Sequence, residues 1–102
     1  MKFFTLLLFF VTLILGDTVL KIATYNVENL FDLEKSEFRY EEYKPNGKSL
    51  WNQRNYKIKL KNIAKVIKDI DADIIALQEI GSLKALKDLR LEIKRQGLYY
   101  QY

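Results

Sequence analysis

The spacing of hydrophobic positions changes several times along the chain, and each change marks an element. Over residues 18–27 apolar residues alternate, with Leu20 and Ile22 on one side and Val19, Ala23, Tyr25 and Val27 on the other. A period of two predicts a strand, and apolar residues on both sides predict one buried between layers. Over residues 53–70 the period becomes helical. Tyr56, Leu60, Ile63, Ile67 and Ile70 share a stripe flanked by Ala64 and Val66, and Lys57, Lys61, Lys65 and Lys68 fall opposite. Ile58 lies off the stripe and predicts a second packing contact. Asp71-Ala72-Asp73 closes the helix, and the continuous run Ile74-Ile75-Ala76-Leu77 predicts a short strand covered on both faces. Gly81-Ser82 then offers a turn and an N-cap for a second helix striped by Leu83, Leu86, Leu89 and Ile93. Lys94 and Arg95 suit its C-terminus and Gly97 the position just beyond it, after which residues 98–102 read as the opening of a third strand.

Strand, crossover helix and strand make a parallel βαβ unit of the α/β class, so both strands end on the same edge. The first apolar run gives way to Asn26 and the second to Glu79. Oxygen-bearing side chains at the carboxyl edge of a parallel sheet are the layout of a metal or phosphate site. Hard divalent cations take oxygen ligands and keep several waters, so one carboxylate and one amide oxygen are a plausible protein share. Taken singly, each residue has a plainer reading: a strand-end glutamate is commonly solvated or paired with lysine, and a strand-end asparagine commonly makes a turn. Between the first strand and the first helix, residues 32–50 scatter charges among Phe38, Tyr40 and Tyr43 around the turn signal Pro45-Asn46-Gly47, which predicts a long exposed loop suited to substrate contact or a lid.

Composition adds bounds to this picture. A length of 102 residues allows one small domain, and its globular part is shorter still. Met1-Lys2 followed by an apolar stretch over residues 3–15, broken only by Thr5 and Thr12, has the form of a signal peptide over residues 1–16. The stretch falls short of the about 20 apolar residues that a membrane helix needs, so no stable span is expected. This leader predicts export to the periplasm or the exterior, or membrane tethering if it stays uncleaved. The net charge of +4 is mild, but its distribution is not even. Acidic residues crowd between Glu28 and Glu42, whereas residues 44–68 carry only basic charges, so one region suits cations and its neighbour suits phosphates. Cysteine is absent, which removes disulfides and thiol chemistry, and histidine is absent too.

The string Thr24-Tyr-Asn-Val-Glu-Asn-Leu-Phe-Asp32, the helix segment Asn62-Ile-Ala-Lys-Val-Ile67 and the run Asp73-Ile-Ile-Ala-Leu-Gln-Glu79 resemble the opening of the endonuclease/exonuclease/phosphatase superfamily, the metal-dependent phosphoesterases that include DNase I-like nucleases. The resemblance covers nearly all of residues 18–102. It implies that residues 17–102 are the N-terminal βαβα portion of a four-layer α/β sandwich. It also implies catalytic roles for Asn26 and Glu79: Glu79 as the metal-binding glutamate, Asn26 as the asparagine beside metal and phosphate. Glu28 lies where some members carry an acidic residue assisting the metal. The implied cofactor is Mg²⁺, or Mn²⁺ or Ca²⁺ in its place, and the implied substrate is a phosphoester, with nucleic acid favoured by the basic helix and the leader. The family's later elements, a Gly-Asp-x-Asn motif and a terminal Ser-Asp-His motif, have no counterpart in this sequence. The expectation is therefore the front part of an exported nuclease or phosphodiesterase, inactive alone and partnered by a C-terminal remainder of the same domain. The competing expectation is a non-catalytic secreted or tethered module that binds nucleic acid or anionic lipid through its basic helix.

Overall fold

The computed structural model describes residues 18–34 and 40–102. The leader predicted over residues 1–16 lies outside them. Four principal elements follow in chain order: β1 (Ile22–Leu30), α1 (Gln53–Ile70), β2 (Ile74–Ile80) and α2 (Leu83–Arg95). The strands pair in parallel, in a register that sets Ile22 opposite Ile74 and Asn26 opposite Gln78. A small βαβα unit with parallel strands is the predicted architecture, and it is consistent with part of the larger sandwich fold.

The helix ends follow from local chemistry. Asn52 caps α1 by accepting from the Asn55 N–H at 3.0 Å, and Ser82 caps α2 by accepting from the Ala85 N–H at 3.0 Å. Helix α1 stops where Asp71 turns left-handed at φ 52° while its N–H still reaches the Ile67 carbonyl at 3.0 Å. Helix α2 stops at Gly97, φ 100°, whose N–H meets Lys94 O at 3.0 Å while the Leu98 N–H meets Ile93 O at 3.2 Å. That paired closure satisfies carbonyls that the last turn leaves open, and glycine takes its backbone angle without penalty.

The core lies between the two helices and one face of the sheet. Leu30, Ile67 and Leu89 are fully buried, joined by Val27, Leu60, Ile63, Ala64, Ala85 and Ile93. Removing any of the three large side chains would cost about 2–5 kcal/mol from lost burial and the cavity left behind. Tyr25, Ile75 and Leu77 pack against this core.

Three expectations need correction. Among the described residues the sheet is covered on one face only, because both helices share a side; Ile22 and Ile74 on the other face are 66% and 52% exposed. Ile58 is exposed and makes no second core. Residues 98–102 form no strand. The Arg90 guanidinium holds the Tyr100 carbonyl at 2.7 Å and the Tyr100 hydroxyl donates to Ala72 O at 2.5 Å, so side-chain bonds tie this segment to α2 and to the approach of β2 in place of strand pairing.

The described part of the loop after β1 is exposed along most of its backbone but is not structureless. It contains a 3₁₀ turn, Glu41–Tyr43, and the predicted turn at Pro45-Asn46-Gly47, where the Gly47 N–H meets Lys44 O at 3.1 Å. Aromatic rings tie it down: Phe31, Tyr43, Trp51 and Tyr56 follow one another at centroid separations of 5.0, 5.2 and 5.9 Å. Among the described residues no helix is long and apolar enough to cross a membrane.

Candidate functional site

Parallel pairing carries both strand ends to one edge, and there the two predicted residues touch. Asn26 Nδ2 donates to Glu79 Oε2 at 2.8 Å. The opposite side of the same amide is engaged too, because the Glu28 backbone N–H donates to Asn26 Oδ1 at 2.8 Å. A backbone donor must face the amide oxygen and a carboxylate must face the amide nitrogen, so these two partners fix the orientation of Asn26. Next to the pair, Gln78 Nε2 donates to Thr24 Oγ1 at 2.8 Å and ties the strands across their open face.

The backbone at this edge is unusual on both strands. Glu28, Asn29 and Glu79 have φ of 58°, 61° and 65°. Asparagine tolerates this left-handed region, whereas glutamate occupies it at a cost of about 1–3 kcal/mol. In β1 the left-handed pair forms a bulge: from Asn26 to Leu30 the strand uses four steps where β2 uses two, from Gln78 to Ile80. At the start of the bulge the Glu28 N–H closes an Asx turn onto Asn26. In β2 the left-handed Glu79 interrupts the alternation of sides, and its side chain meets Asn26 on the exposed side of the edge.

Lys59 of α1 sits beneath the bulge. Its ammonium donates to Glu28 O at 2.5 Å, Asn29 O at 3.0 Å and the Tyr43 hydroxyl at 3.2 Å. It also lies 5.0 Å from the centre of the Tyr43 ring and 5.9 Å from that of Trp51. The hydrophobic pattern passes over this residue, since it is one lysine among several on α1. The available signal was its position at the margin of the apolar stripe, three residues after Tyr56, where a lysine points toward the sheet.

Further contacts anchor the edge. Asp32, buried just beyond β1, accepts from the Ser82 hydroxyl at 2.5 Å and from the Glu34 N–H at 2.8 Å, which fastens the end of β1 to the cap of α2. Gly81 is pressed against Phe31, so closely that an added Cβ would lie 2.6 Å from the ring. Behind the site, the Tyr56 hydroxyl of α1 donates to Asp88 of α2 at 2.7 Å, and Lys84 reaches the same carboxylate oxygen at 3.0 Å. Burial, then the hydrogen bond and charge of Asp88, push the Tyr56 phenol well above its ordinary range. Asp88 also raises Lys84, through the hydrogen bond first and its charge second.

The structure thus joins Asn26 to Glu79. The third predicted residue, Glu28, takes part through its backbone: its N–H holds Asn26 and its carbonyl receives Lys59. Among the described residues no group of three or more acidic, histidine or cysteine side chains could by itself enclose a metal ion. The donor set nevertheless fits a hard divalent cation that relies on water and substrate oxygens, because Glu79 is exposed at the strand edge and Asn26 Oδ1 keeps a second lone pair.

In α/β units with parallel strands ligands bind at the carboxyl ends of the strands, which is where this amide and carboxylate meet. The comparison with known families narrows the class. A sequence model described as the Endonuclease/Exonuclease/phosphatase family matches residues 21–101, and the chain belongs to that family. No curated protein and no solved structure matches it. Members of this family act on phosphoesters and typically use divalent metals.

Proposed function

We propose that this chain carries the glutamate-and-asparagine half of the site of an exported, metal-dependent phosphoester hydrolase, a nuclease or phosphodiesterase. The observation that carries the reading is the 2.8 Å contact between Asn26 and Glu79 at the strand edge of a chain belonging to this family. Glu79 would be the first ligand of Mg²⁺, or of Mn²⁺ or Ca²⁺, with Asn26 orienting it and offering its free lone pair to ion or phosphate. A cation held there would supply charge stabilisation on the phosphoryl oxygens. The Glu28 carboxylate, exposed one step along the bulge, is the acidic group closest in sequence to assist through water. No histidine occurs among these 102 residues, so the activation of water would fall to groups outside this half of the site. Nucleic acid is the favoured substrate, since Lys57, Lys61, Lys65 and Lys68 form an exposed row along α1. Export rests on the leader pattern of residues 1–16.

The test is a Mn²⁺ titration of the chain beside its Glu79→Gln variant, followed by DNA binding at several salt concentrations. The expected outcome is Mn²⁺ binding that the variant loses, and DNA binding that the variant retains. Equal Mn²⁺ behaviour in the two proteins, with salt-dependent DNA binding in both, would replace the hydrolase site with the non-catalytic binding module.

A further inference from the structure

Asn26 can orient Glu79 only while its own amide is held, and the holding group is the Glu28 N–H. That N–H closes a local Asx turn onto Asn26, and the two residues that continue the chain from it, Glu28 and Asn29, are both left-handed. Two successive non-glycine residues in this region carry strain that something outside the strand has to offset. The bulge also leaves Glu28 and Asn29 without partners in β2, so their carbonyls are open to donors from elsewhere. Lys59 meets both needs at once. Its three ammonium hydrogens match three acceptors, two of which are these carbonyls, and the third acceptor, the Tyr43 hydroxyl, belongs to a ring that also faces the charge.

We infer that Lys59 is a positioning residue for the Asn26–Glu79 pair, acting by pinning the Glu28–Asn29 bulge against α1 through its ammonium group. The inference rests on the proposed metal site and adds to it a residue outside the ion's reach. The helix contributes rigidity: Lys59 lies between Tyr56 and Leu60, both buried, so the base of its side chain is fixed. Through Tyr43 and Trp51 the same ammonium couples the loop after β1 to the strand edge, which makes the geometry of the site depend on that loop being docked.

A positioning role and a plain charge effect predict opposite signs. If Lys59 acted on a bound cation through its charge alone, its removal would relieve repulsion and strengthen metal binding. If it positions the pair, removal weakens binding despite the lost repulsion. In Lys59→Met the expected results are an about 10-fold loss of Mn²⁺ affinity, as for other supporting partners of metal ligands, and movement of the Asn26 side-chain amide resonances toward solvent values, with helix content unchanged by circular dichroism. Where Glu79→Gln loses Mn²⁺ binding, unchanged or tighter binding by Lys59→Met overturns the inference, and an Asn26 amide that stays at its wild-type position overturns it in either case. Glu79→Gln run in parallel separates the two levels. If it leaves Mn²⁺ affinity intact, the metal site itself fails, and the Asn26 resonances in Lys59→Met still decide whether Lys59 positions the pair. Should Lys59→Met not fold, the wild-type chain decides through the nitrogen-15 spectrum of its lysine ammonium groups. A slowly exchanging Lys59 signal with contacts to Glu28 and Asn29 supports the inference, and exchange as fast as that of the exposed Lys57 overturns it.

Discussion

Glutamate seldom takes a positive φ, because its Cβ then crowds the following carbonyl, yet Glu79 stands at 65° where a continuing strand would have served the sheet better. Strain of this kind survives only where the surroundings impose it, and it concentrates at working sites. At Glu79 the imposed geometry sets the carboxylate beside Asn26. The cost can be measured by removing the carboxylate in two ways. Glu79→Gly and Glu79→Ala lose the same hydrogen bond, but only glycine accepts the left-handed angle freely, so the glycine variant should be the more stable by about 1 kcal/mol in urea denaturation. An alanine variant equal to or more stable than the glycine one would mean that the backbone at this position is not held left-handed. Glu79 itself was legible, since an apolar run that stops at a carboxylate is a visible pattern. Its backbone angle was not, because nothing in the residues from Gln78 to Gly81 signals a left-handed glutamate. The same limit hid the bulge: Glu28 is no turn former, and the alternation ending at Val27 gave no sign that β1 continues to Leu30.

At the scale of elements, both helices were legible to within a residue because stripe and boundary signals agree: Asp71 to Asp73 after α1, Ser82 before α2 and Gly97 after it, while the Asn52 cap of α1 went unread. The link between them was not, since Tyr56 reads simply as one more apolar position. In the structure its hydroxyl spans to Asp88 at 2.7 Å and joins α1 to α2. This bond gives stability a pH dependence whose sign is fixed. Folding raises the Tyr56 phenol above its ordinary value of 10.0. Below about pH 10 both folded and unfolded chains keep the proton and the contribution is constant. Above that, the unfolded chain releases a proton that the folded one retains, so stability falls as pH rises. Tyr100, raised by burial and then by the charges of Asp71 and Asp73, works in the same direction. Tyr56→Phe should therefore cost about 1 kcal/mol near neutral pH, from the lost hydrogen bond. Its disadvantage should shrink as the pH climbs past about 10, where wild type alone loses the Tyr56 contribution. Urea midpoints for both proteins across this range provide the check, and a gap that widens with pH would refute the assigned shift.

At the scale of the whole molecule, the helices shield one face of the sheet and leave the other open. Continuous apolar runs such as Ile74 to Leu77 predict burial on both sides, and the inference from composition is sound for a sheet between layers. Among the described residues one helical layer covers the sheet, so half of the pattern faces away from it: Ile22 is 66% and Ile74 52% exposed, beside Thr24, Ala76 and Gln78. Apolar surface on a paired sheet whose two edges are unpaired among the described residues favours association of chains face to face or edge to edge. If these isoleucines contribute nothing to the core, replacing them with a polar residue of equal strand preference should separate stability from association. Threonine keeps the branched Cβ that suits a strand. The double variant Ile22→Thr/Ile74→Thr is expected to unfold within about 0.5 kcal/mol of wild type, as substitutions at exposed positions generally do. It should also scatter less light and bind less hydrophobic dye with increasing protein concentration. A loss beyond about 2 kcal/mol would instead place both side chains in a packed interior, the size of penalty that buried aliphatic positions incur. Equal scattering by both proteins would show that self-association, if present, runs through the free edges, where the backbone groups of β1 and β2 are unaffected by the substitutions.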